Sequence, residues 1–147
     1  SLPREIVHSS ACYIASETHF PMPGLGDPVN HNYDGWISEK SLKSFFYGLP
    51  TIWLAPPGTT ESIKKLGFLS YDGLINEKYD QEEDGRVRIR MIEDEINRIQ
   101  RIEDINSWYH TGTEIYEYNR AQFDTYLHQH VPTLIEEFHS TLNEFNV

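Results

Sequence analysis

The chain has little cysteine and little positive charge, and it has no long apolar run. Among 147 residues there is one cysteine, Cys12. A single thiol excludes a disulfide framework, and its place in the mostly apolar run 11–16 points to a buried, inert side chain. Lysine and arginine total 12 against 23 acidic residues, for a net charge of -11. A surface of that sign repels phosphate backbones, which argues against nucleic acid as a partner. Residues 111–147 carry one basic residue, Arg120, against six acidic ones. An anionic ligand is therefore expected on the first two thirds of the chain. No stretch approaches the ~20 apolar residues that a membrane helix needs, and no signal-peptide pattern is present. The expectation is a soluble, cytoplasmic protein without a membrane partner.

Several chemical signatures are also missing. The seven histidines form no metal-ligand spacing, and neither His-Glu-x-x-His nor Gly-x-Ser-x-Gly occurs. No metal and no tightly bound cofactor are expected, and a hydrolase or nucleotidase would need a cluster that is not there. Gly24-Leu25-Gly26 lacks a third glycine and follows prolines, so it is not a dinucleotide fingerprint. Asp80 to Gly85 places acids like the start of a calcium loop, but the twelfth position is Met91 in place of a bidentate Glu. Those acids read better as the start of a helix, where the dipole favours negative charge.

What is present is a globular composition: 38% hydrophobic and 13% aromatic residues. The length suits one domain with a real core. Ala11 to Ser16 reads as a buried strand. Residues 19–35 contain three prolines and three glycines, a long loop by turn chemistry. Ser38 offers an N-cap, with Leu42, Phe45 and Phe46 on one helical face and Gly48 and Pro50 as stops. Thr51 to Ala55 is a second buried strand. Pro56-Pro57-Gly58 turns the chain, Thr59 or Thr60 caps a further helix, and Gly67 ends it. Phe68 to Tyr71 is a third short strand. This alternation predicts an α/β fold, a single Rossmann-like domain with a parallel sheet. Long helices follow, one over roughly 85–104 with an Asp94–Arg98 pair, and one from Thr113 that Pro132 should kink or break. Residues 1–110 form the core, and 111–147 form a helical extension that packs on it.

The candidate site is the helix start at Ser38. Unpaired N–H groups and the positive end of the dipole suit an anion there. Lys40 adds a full charge, and Lys43 lies one turn on. The same residues also describe an ordinary capped helix with solvated lysines. Glu17 sits at the carboxyl end of the first strand, the edge where ligands bind in open α/β sheets, although a solvent-exposed loop acid has the same local signature.

The runs Ile14-Ala15-Ser16-Glu17-Thr18, Trp36-Ile37-Ser38-Glu39-Lys40-Ser41-Leu42-Lys43 and Gly48-Leu49-Pro50-Thr51-Ile52-Trp53 stand in a telling order. Together they resemble the donor-binding half of α1,3-fucosyltransferase-like glycosyltransferases of the GT-B type. Leu66-Gly67-Phe68, Tyr79-Asp80 and Asn119-Arg120 extend the resemblance to a group of uncharacterised viral and bacterial proteins. The resemblance implies a nucleotide-sugar donor, GDP-sugars among the candidates, and hexosyl or fucosyl transfer. It implies Lys40 on the diphosphate, Glu17 near the ribose or sugar, and Ser38, Glu39 and Lys43 shaping the site. It assigns no catalytic base, and it implies an acceptor-binding domain or partner subunit outside this chain. The alternative is a non-catalytic protein-interaction module on the same frame, with the aromatic stripe of the last helix as its surface.

Overall fold

A computed structural model describes residues 9–17 and 37–145, with the side chains of residues 39, 133–135 and 137–145 outside the description. The loop expected over 19–35, Trp36, and the markers Leu134, Phe138 and Leu142 lie outside the described residues or side chains. The fold is mixed α/β. Strand β1 (Tyr13–Ser16) is followed by helix α1 (Glu39–Tyr47), strand β2 (Thr51–Leu54) and helix α2 (Thr59–Lys65). A 3-10 turn (Glu77–Gln81) precedes helices α3 (Gly85–Gln100), α4 (Ile105–His110) and α5 (Thr113–Phe145). The two strands pair in parallel, with Tyr13 opposite Thr51 and Ser16 opposite Leu54. Among the described residues the sheet has these two strands only.

The expected third strand at Phe68 to Tyr71 does not form, and the reason lies in its backbone partners. The Asn119 side chain accepts the Leu69 N–H (2.7 Å) and donates to the Leu69 carbonyl (2.9 Å). The Tyr71 N–H goes to the Glu77 carboxylate (2.8 Å). Side chains thus meet the demand that a neighbouring strand would otherwise meet. The segment still delivers Phe68 and Tyr71 to the core, where Phe68 stacks on Phe45 (4.1 Å between ring centres) and Tyr71 on Trp53 (5.7 Å).

Strand β1 is less buried than its apolar run implies: Ala15 is buried, while Ile14 is 47% exposed. Strand β2 matches its sequence, with Thr51, Ile52 and Trp53 all buried. Cys12 is half-buried, and burial pushes its thiol up to about 12. Helix α1 keeps its predicted ends, capped by Ser38 and stopped by Gly48 at φ +66°. Phe46, however, is exposed. Helix α2 is preceded by Gly58 at φ +80°, which serves as the cap position without a side-chain bond, so neither Thr59 nor Thr60 is the cap. Both threonines are instead buried inside its first turn.

Asp84 caps α3 by accepting the Arg86 and Val87 N–H groups. Arg98 pairs with Glu95 (2.6 Å), not with Asp94, because Glu95 faces inward and also accepts the Asn76 N–H. Helix α5 runs through Pro132 without ending there. The carbonyl that Pro132 deprives of a partner belongs to His128, and residues 127–132 are all exposed, so the lost bond is open to solvent. The first part of α5 packs on α1 and on the 66–71 segment: Phe123 meets Phe46, Tyr126 meets Phe68, and Gln122 donates to the Leu66 carbonyl. Among the described residues, no helix is long and apolar enough to cross a membrane.

Candidate functional site

The carboxyl ends of β1 and β2 define one edge of the sheet. Glu17 leaves β1 there and remains tied to β2, its N–H donating to the Leu54 carbonyl (3.1 Å). Its side chain is 5% exposed. Carboxylate oxygen Oε1 accepts the Ser38 N–H (3.1 Å) and the Ser41 hydroxyl (2.5 Å). Burial alone would raise the Glu17 pKa, but these bonds and nearby Lys40 hold it below the ordinary carboxylate value. Glu17 is therefore no exposed loop acid. It is an ionised group that ties the end of a strand to the first turn of α1, where helix N–H groups and the dipole favour negative charge.

In the same turn Ser38 Oγ accepts the Lys40 N–H (3.2 Å). Lys40 is half-buried beside Glu17, and Lys43 is exposed. The structure thus brings Glu17, Ser38 and Lys40 together, with Lys43 on the outer face of α1. The Glu39 side chain lies outside the description. The sequence did not single out Ser41, which is fully buried and supplies the shorter of the two contacts to Glu17. Its spacing of three from Ser38, on the strand-facing side of the helix, was the signal that could have found it.

Past β2, on the chain that leaves the same edge, a cavity of about 620 Å³ opens beside Gly58 and Thr60. Glu61, Asp72, Glu77 and Asp80 supply much of its polar wall, with Lys64 and Lys78 among them. Asp80 accepts the Thr60 N–H (3.1 Å), and its carbonyl accepts the Gly58 N–H (2.9 Å). Burial raises the Asp80 pKa, with Thr60, Thr59 and Arg88 pulling against it. Burial also pushes Glu77 up to about 7, opposed by the Tyr71 N–H, Ser70 and Lys64 and assisted by Asp72. This wall is rich in acceptors for hydroxyl and amine donors and is unsuited to a phosphate. Among the described residues no group of three or more His, Cys, Asp or Glu is arranged to hold a metal ion.

Compared with protein-family models, with curated proteins and with solved structures, the chain matches none.

Proposed function

We propose that the chain binds a nucleotide-sugar donor at the carboxyl edge of its parallel strands, as the donor half of a glycosyltransferase-like protein. The observation that carries this reading is the bond set from Glu17 to Ser38 and Ser41. It joins a strand end to a helix start in a parallel β-α-β arrangement, with Lys40 in the same turn. Phosphorylated ligands sit at such junctions because helix N–H groups, the dipole and a lysine all favour their charge. Lys40 would hold the diphosphate. Glu17 already occupies part of the turn, so its role is to fix the turn and accept a ligand hydroxyl. The acid-walled cavity after β2 suits the hydroxyl-rich part of such a donor. Within this reading the two strands belong to a Rossmann-like domain, and the acceptor is held by another domain or a partner subunit.

Calorimetry with GDP-, UDP- and CMP-sugars at millimolar concentration tests it. Heat is expected with at least one of them, and its loss is expected in Lys40→Ala. Silence across the panel, or equal heat in Lys40→Ala, contradicts the proposal.

A second reading rests on a separate observation. Leu127 and Val131, four positions apart on α5, are both exposed, so an apolar stripe remains beyond the packed part of the helix. In this reading the chain is an interaction module that pairs through α5. Light scattering that returns a monomer would remove it.

A further inference from the structure

We propose a second anion site, for the phosphate group of a small molecule, at the opposite end of α1 and built around Arg120. Its neighbour Asn119 is consumed by the clamp on Leu69. Arg120, one position on, is exposed, and among the described residues it makes no ion pair and no hydrogen bond. Its guanidinium lies over Gly48, where a Cβ would come within 3.0 Å of Nη2.

An arginine near the end of a helix often serves its last carbonyls. Three of the carbonyls at this end are already served here. Gly48 and Leu49 donate their N–H groups to the carbonyls of Phe45 and Ser44, and the Tyr109 hydroxyl donates to the Gly48 carbonyl (2.7 Å). The guanidinium fork is left facing a cavity of about 510 Å³.

The composition of that cavity is the second observation. Its polar wall holds Arg120, His110, Asn106, Tyr47, Ser9 and Ser10, and among the described residues no carboxylate lines it. In a chain with 23 acidic residues against 12 basic ones, such a wall is unusual. Hydroxyl, amide, imidazole and guanidinium groups come together from four separate segments, which suits a tetrahedral oxyanion. The volume exceeds a phosphate alone, and Leu49 and Ile105 offer an apolar side for the rest of the ligand. Glu117 and Asp124 flank Arg120 on α5 and line an adjoining cavity whose wall Arg120, Tyr109 and His110 share. They weaken the local positive potential, so bidentate bonding by Arg120 must carry the binding.

The test is a titration of the isotope-labelled 147-residue chain with inorganic phosphate, followed by amide NMR. Sodium chloride at matched ionic strength is the control, and Lys40→Ala is the background that silences the other end of α1. Saturable shifts are expected at Ser9, Ser10, Leu49, Asn106 and His110. Arg120→Gln should weaken binding by about tenfold or more, the loss expected for a charged hydrogen-bonding group. Arg120→Lys, which keeps the charge and loses the fork, should fall between. Shifts that chloride reproduces, or that survive Arg120→Gln, overturn the proposal. Should Arg120→Gln not fold, His110→Gln is read in its place, with weaker binding expected and unchanged binding overturning the site.

Discussion

The two ends of α1 are built in opposite ways. At its start, the chain's own carboxylate, Glu17, is locked against helix donors and buried. At its end, a guanidinium, Arg120, lies over Gly48 without a bond of its own among the described residues. The first arrangement spends its polar groups on holding the fold, and a ligand must fit around them. The second leaves its charge available. A residue can thus sit at a site because the fold needs it, because a ligand needs it, or for both reasons, and the bonding around it tells which.

That contrast orders the expected effects of substitution. Asn119→Ala should be the most damaging, by about 3 kcal/mol, because it strands the Leu69 N–H and carbonyl and empties the fully buried position of the Asn119 side chain. Glu17→Ala should cost about 2 kcal/mol, leaving the Ser41 hydroxyl buried without its acceptor. Arg120→Gln should stay within ~0.5 kcal/mol of the native chain, since no described bond is lost. Chemical denaturation of the three variants checks the order. A large loss in Arg120→Gln would assign that arginine to the fold and erase the contrast.

Acid titration sharpens it further. Glu17 has a lowered pKa, so its stabilisation is present above its ordinary value of 4.5 and is lost as pH falls through the folded value. Glu77 acts in the opposite sense. Its folded pKa is raised to about 7, so its contribution is full below 4.5 and is lost as pH rises through about 7. Replacing Glu77 with Gln should flatten the fall in stability across that window, by roughly 1–3 kcal/mol. Melting curves across the window check this, and an unchanged slope would show that Glu77 does not titrate there.

Local signals in the sequence carried far at α1 and β2. Ser38 is the cap, Gly48 is the left-handed stop, and Thr51 to Leu54 is the buried strand that its composition announces. The misreadings share a cause: a short pattern does not say who its partner is. Phe68 to Tyr71 is apolar enough for a strand, but Asn119, 50 positions away, takes its backbone. Arg98 can reach either Asp94 or Glu95, and only the inward turn of Glu95 decides between them. Glu17 and Lys40 were legible as candidates, whereas Ser41 had only its helical spacing from Ser38 to mark it, and its contact with Glu17 joins positions 24 apart. The cavity at Arg120 draws on the residues just before β1, on the end of α1, on α4 and on α5. A charge count over residues 111–147 pointed away from it, since that count cannot see what Arg120 faces.

The most direct test of the central claim is an amide NMR titration with the nucleotide sugars in an Arg120→Gln background. That background removes the competing cation at the far end of α1. Saturable shifts are expected at Ser38, Lys40 and Ser41, and they vanish in Lys40→Ala. Shifts elsewhere only, or none with any donor, would contradict that claim.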